Sequence, residues 1–180
     1  MRRLMLLRHA KTENDGPSGH DQDRRLDDRG RRDAAEIGGW LARHPPFPDA
    51  VLVSTAVRAL QTWEIAWAAM KDLVPEPQVK HLAQLYGADP AELLEAVRDA
   101  SALDPQRLML VGHNPGMHEL GLALAGSGDA AGWHALAGNL PTSGLAVIDF
   151  AIDDWADVAF RRGRLVLFVS PKLLKQTSGD

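Results

Sequence analysis

Three short apolar runs, each stopping at a polar or basic cluster, constrain this chain more than any other feature. Leu4 to Leu7 ends in Arg8-His9-Ala10, Ala50 to Val53 ends in Ser54 with Arg58 soon after, and Leu108 to Val111 ends in Gly112-His113-Asn114. Unbroken apolar runs of this length suit strands buried on both faces. Helical spacing fills the intervals. Ala34, Ala35, Ile37, Gly38 and Leu41 precede the His44-Pro45-Pro46 stop, and Ala59, Leu60, Trp63, Ala66, Trp67 and Met70 share a face over 56–70. Asp89-Pro90 offers an N-cap and a first-turn proline ahead of Leu93, Leu94 and Val97. Further strands are predicted over 145–152 and 165–169, a short one over 79–82, a helix over 117–125 and a helical turn over 154–158. Alternating strands and helices predict an α/β chain, a three-layer α/β/α sandwich around a mainly parallel sheet. One domain is expected over 1–171, with a flexible tail over 172–180.

Ligands of such sheets sit outside the C-terminal strand ends. The expected topology therefore gathers Arg8, His9, Arg58 and His113 at one edge. Composition narrows what can happen there. The chain has 180 residues, no cysteine and a net charge of −4. Disulfides, thiolate metal sites and cysteine nucleophiles are thereby excluded, and the charge argues against a nucleic-acid partner. The apolar start stops at Arg8, too short for a secretory signal of ~7–15 apolar residues. No run approaches the ~18 apolar residues of a membrane span. A cytoplasmic enzyme with no membrane association is the expectation.

Two guanidiniums and two imidazoles suit a phosphoryl group. Arg8 and Arg58 offer planar forks that match phosphate oxygens two at a time. His9, as neutral imidazole, can attack phosphorus and form a covalent intermediate that water cleaves. His113, as a protonated ring or an Nε–H donor, can stabilise charge on the equatorial oxygens. This set calls for no metal and no cofactor. Plainer explanations exist for each residue alone: a polar strand end for Arg8-His9, a surface helix position for Arg58, turn chemistry for His113. Their joint placement favours a site. Other chemistries fit poorly. Asp21-Gln22-Asp23 lies in the polar loop 11–26 rather than after a buried strand, Gly112 to Gly116 lacks the Lys-Ser/Thr of a P-loop, and His118-Glu119 lacks a second histidine at helical spacing.

These residues carry a family resemblance. Leu7-Arg8-His9-Ala10 resembles the Arg-His-Gly signature of the histidine phosphatase (phosphoglycerate mutase-like) superfamily. Ser54 to Thr62 is similar to its Ser-x-x-x-Arg-x-x-Gln-Thr block, and Val111-Gly112-His113-Asn114-Pro115 to the block that holds its second histidine. The Asp21 to Leu26 stretch, Thr142-Ser143-Gly144 and Ser170-Pro171 look most like the SixA-type phosphohistidine phosphatase branch. The resemblance implies a phosphoglycerate mutase-like fold and His9 as nucleophile. It also implies a phosphate pocket of Arg8, Arg58 and His113, with Thr12 and the Asn114 backbone N–H beside it. Ala10 stands where the family usually has glycine, and Arg25 where this branch commonly has proline. Mutase-type members carry a proton-donating Glu before the Tyr86-Gly87 position; this chain has Leu82-Ala83-Gln84-Leu85. An alkoxide leaving group needs a proton worth ~10²–10⁴ in rate, whereas a protonated imidazole leaves readily. The expected substrate is therefore phosphohistidine on a protein, such as a histidine phosphotransfer domain, with Asp21 as candidate acid and Asp23 as its neighbour. A phosphomonoesterase of broad specificity for small phosphoesters and a non-catalytic phospho-ligand module are the alternatives.

Overall fold

The computed structural model describes residues 1–178. Its elements in chain order are β1 (Arg2–Arg8), α1 (Asp28–Arg43), β2 (Ala50–Ser54), α2 (Val57–Met70), β3 (Gln78–Leu82), α3 (Pro90–Asp99), β4 (Arg107–Gly112), α4 (Gly116–Leu124), β5 (Ala125–Gly128), α5 (Ala130–Gly138), β6 (Leu145–Phe150), β7 (Gly163–Val169) and α6 (Pro171–Ser178). Among the described residues the strands form one sheet in the order β3-β2-β4-β1-β6-β7-β5. The half from β3 to β1 is parallel throughout. β6 runs antiparallel to both β1 and β7, and β5 lies parallel to β7 at the far edge.

Alternation along β1 splits the interior in two. Leu4 and Leu6 face one core with Leu93, Val97, Met117, Leu120 and Leu136 from α3, α4 and α5. Met5 and Leu7 face the other with Ile37, Leu41, Ala59, Trp63 and Met70 from α1 and α2. Successive side chains of a strand point to opposite faces, so one strand buried on both sides makes a three-layer sandwich.

Helix starts are set by local chemistry. Asp27 caps α1 by accepting from Gly30 N at 2.7 Å. Asp89 and Glu92 make a reciprocal capping box at α3, with Pro90 in its first turn. Gly30 matters for position as well: a Cβ there would sit 2.0 Å from the carbonyl oxygen of Lys11. Only glycine lets the start of α1 lie against the chain leaving the tip of β1.

Two expectations need correction, and two elements, β5 and α5, lie outside the predicted pattern. The strand expected over 145–152 ends at Phe150. The flexible tail expected from 172 forms α6 as far as Ser178, with Leu174 packed on the second core; residues 179–180 lie outside the described residues.

Candidate active site

Parallel pairing of β1 with β4, and of β4 with β2, brings three C-terminal tips side by side. Arg8 pairs with Gly112, so His9 and His113 leave adjacent strands at the same level. Their rings lie 5.3 Å apart between centroids. Arg58 comes from the first turn of α2. His9, Arg58 and His113 are 6%, 5% and 9% exposed, so these polar groups are buried together.

Hydrogen bonding fixes the working nitrogens. His9 Nδ1 meets the carbonyl oxygen of Ala10 at 2.8 Å. A carbonyl only accepts, so Nδ1 carries the proton and Nε2 keeps its lone pair. Burial, with the repulsion of His113, Arg58 and Arg8 behind it, holds the His9 pKa down at about 3, leaving a neutral, nucleophilic ring at neutral pH. His113 Nε2 lies 2.7 Å from Ser54 Oγ. That oxygen also accepts from Ala56 N at 3.3 Å, so Ser54 occupies Nε2 and Nδ1 is the ring nitrogen without a partner among the described residues. The nitrogen left for a ligand is therefore Nδ1, whereas the sequence alone suggests an Nε–H donor or a protonated ring. Burial first, then Arg58, lowers the His113 pKa to about 4, which favours the neutral ring at neutral pH.

Each guanidinium is anchored on one side. Arg8 Nη1 donates to Leu140 O at 3.2 Å. Arg58 Nη1 and Nη2 donate to Asp21 O at 2.7 Å and to Asp21 Oδ2 at 2.9 Å. Among the described residues, Arg8 Nε, Arg58 Nε and His113 Nδ1 are buried without a hydrogen-bond partner. Buried polar groups are almost always satisfied, so two guanidinium N–H groups and a ring nitrogen left unpaired beside His9 suit an anion. Burial and the nearby Arg58 also lower the Arg8 pKa, an electrostatic strain that a bound dianion relieves.

The strand tips are braced from β6. Ser143, held in the left-handed region at φ 57°, donates its N–H to both Arg8 O at 3.1 Å and His9 O at 3.2 Å. Leu140 O also accepts from Asn114 Nδ2 at 2.8 Å, while Asn114 Oδ1 takes His118 N at 3.2 Å. The Asn114 side chain thus ties the loop after β4 to the segment that leads into β6. Thr12 Oγ1 accepts from Arg24 Nη1 at 3.0 Å, which leaves its own hydroxyl proton to be given elsewhere.

Asp21 departs from its expected role. Its carboxylate accepts from Tyr86 Oη at 2.6 Å, from Arg58 and from Arg24 Nε at 2.9 Å. The Tyr86 bond and then Arg58 depress its pKa to about 2. It is a carboxylate at neutral pH, not an acid with a proton to give. Asp23, the neighbouring option, turns into its own loop and accepts from Ser18 N at 3.1 Å. Ser54 and Tyr86 receive no role from sequence alone: Ser54 marks a strand tip and the start of a family block, and Tyr86 a landmark of the family pattern.

A histidine with a free ring nitrogen, among anchored guanidiniums at the C-terminal edge of a largely parallel sheet, defines a phosphoryl-transfer enzyme of the histidine class. The comparisons agree. The model of the histidine phosphatase superfamily (branch 1) matches residues 4–85. An uncharacterized protein of Mycobacterium tuberculosis is 38% identical over 169 residues, which span 92% of this chain and 100% of that protein. A provisionally assigned phosphohistidine phosphatase SixA from Agrobacterium tumefaciens superposes with a TM-score of 0.77 at 33% identity, covering 94% of this chain and 98% of that one. Its provisional counterpart from Nakamurella multipartitia gives 0.78 at 30%, covering 94% and 96%. The chain belongs to the histidine phosphatase superfamily, in its SixA-type branch, and is a phosphoric ester hydrolase. Among the described residues no helix is long and apolar enough to cross a membrane.

Proposed function

We propose that the chain hydrolyses phosphohistidine on a protein partner, by a covalent phosphohistidine on His9 and without a metal. His9 Nε2 attacks phosphorus, the P–N bond of the substrate breaks, and its imidazole leaves with the proton it already carries. Arg8 and Arg58 hold the phosphoryl oxygens through their Nε edges, with His113 Nδ1–H as a third donor and the Asn114 N–H as a fourth. Water then attacks the phosphorylated ring. Because His9 keeps its Nδ1 proton on Ala10 O, it departs as neutral imidazole. Neither step asks the protein for an acid.

The observation that carries this reading is the state of Asp21. It is the carboxyl group that reaches Arg58, and it is held ionised by three donors. A phosphate monoester would release an alkoxide with no protonated carboxyl to receive it. The provisional SixA assignments of the two similar structures support the same substrate class. The test is side-by-side kinetics on a phosphohistidine peptide and a phosphoserine peptide, with and without EDTA. The expected outcome is at least ~10²-fold higher kcat/KM for phosphohistidine and no effect of EDTA. Equal rates would favour a phosphomonoesterase, and loss of activity with EDTA would overturn the metal-free mechanism.

A further inference from the structure

Tyr86 is the chain's single tyrosine and lies in the turn between the 3-10 helix Ala83–Leu85 and α3. It touches three residues of the site at once. Its hydroxyl donates to Asp21 Oδ2 at 2.6 Å. Its ring meets His113 edge-on at 5.5 Å between centroids, and the Arg58 guanidinium lies 5.8 Å from its ring centre. These residues come from the loop after β1, from the tip of β4 and from α2, so no single element holds them in register.

Counting donors shows what depends on that register. Arg58 has five N–H groups. One on Nη1 and one on Nη2 go to Asp21, and Nε is buried without a partner. Asp21 therefore clamps the outer edge of the fork and leaves the inner edge for a ligand. Yet the Asp21 side chain is 50% exposed. A carboxylate so open to water samples several rotamers unless it is tied, and every departure turns the Arg58 fork with it. Arg24 Nε ties one oxygen, and Tyr86 ties the oxygen that Arg58 uses.

We propose that Tyr86 is a positioning residue of the phosphoryl site, fixing through Asp21 and through its own ring the orientation in which Arg58 and His113 present their free nitrogens. The proposal rests on the reading of His9 and its neighbours as a phosphatase centre. It assigns Tyr86 no contact with the reacting atoms; its effect passes through two residues that have such contact. Alignment by a fixed partner matters most in the transition state, where misplaced donors cost rate rather than affinity. The groups facing Asp21 are Arg24 from its own loop, Arg58 from α2 and Tyr86 from the turn before α3. Without the hydroxyl, Asp21 takes up a proton at a higher pH than in the wild type, and the clamp on Arg58 then weakens earlier as acid is added.

The test is Tyr86→Phe, which keeps the ring on His113 and removes the bond to Asp21. The expected result is a kcat on phosphohistidine peptide lower by about 5- to 30-fold. KM should change less than about 3-fold, the acidic limb of the rate profile should move upward, and the melting temperature should hold within about 4 °C. A second measurement needs no turnover and no change at Tyr86. Asp21 raises the Tyr86 pKa, so tyrosinate absorbance should appear at lower pH in Asp21→Asn than in the wild type. Unchanged kcat and pH profile in Tyr86→Phe, a loss confined to KM, or an unchanged tyrosine titration in Asp21→Asn would overturn the proposal. A wild type inactive on every phosphorylated substrate would instead overturn the phosphatase reading, so the two failures are separable.

Discussion

The hydroxyl of Thr62 accepts the backbone N–H of Ala10 at 2.9 Å and donates its own proton to Arg58 O at 2.7 Å. One buried side chain thereby joins the peptide that follows His9 to the helix turn that carries Arg58. Ala10 O in turn holds His9 Nδ1, so Thr62 steadies both the ring and the fork it works with. Thr62→Val keeps the shape and removes both bonds. It should lower stability by about 1–3 kcal/mol, the cost of an unsatisfied buried N–H, and reduce kcat/KM by about 10-fold. Chemical denaturation together with kinetics checks this. Wild-type rates in a destabilised variant would make Thr62 a purely structural tie.

His9→Ala should abolish turnover and leave the fold in place. Among the described residues the ring's one hydrogen bond is to a neighbouring carbonyl, and the surrounding strands are held by main-chain pairing. Far-ultraviolet circular dichroism should match the wild type. Residual activity above a few per cent would mean that another group attacks phosphorus.

Arg58→Lys retains a positive charge but not the fork. A lysine ammonium cannot serve Asp21 on one edge and a phosphoryl oxygen on the other. The expected loss is about 10²-fold in kcat/KM, larger than that of Tyr86→Phe. Activity equal to wild type would place Arg58 outside direct phosphate contact.

Acid should weaken the fold before it protonates most carboxylates. His9 and His113 titrate near 3 and 4 when folded, against an ordinary 6.5. Between about pH 6.5 and pH 4 the unfolded chain binds protons at these rings and the folded chain does not. Stability is therefore full above 6.5 and falls as pH drops through that window, by up to about 1.4 kcal/mol per pH unit for each ring. Asp21, held near 2 against an ordinary 3.8, adds a loss of the same sign only below that value. Melting curves from pH 7 to pH 4 should show the decline, and His113→Gln should make it shallower. A flat profile across the window would contradict the burial of these rings.

The fold was legible where sequence and environment agree. The apolar runs at Leu4, Val51 and Leu108 can only be strands buried on both faces, and their polar tips placed Arg8, His9, Arg58 and His113 at one edge. Ala125–Gly128 and Ala130–Gly138 were illegible, because small residues and glycines give neither a strand alternation nor a strong helical face. Asp21 was picked out as a residue and misjudged as an acid. Its protonation depends on Arg58 and on Tyr86, 65 positions away, and no local pattern encodes that meeting. The same holds for the free nitrogen of His113, which is decided by a hydroxyl at the tip of a different strand.

The most direct measurement is rapid quenching of the enzyme with a labelled phosphohistidine peptide, followed by mapping of the trapped phosphate. About one phosphate per chain is expected, stable to alkali and labile to acid, on the ring of His9 and absent from His9→Ala. Label on another residue, or turnover in which no phosphoenzyme forms, would contradict it.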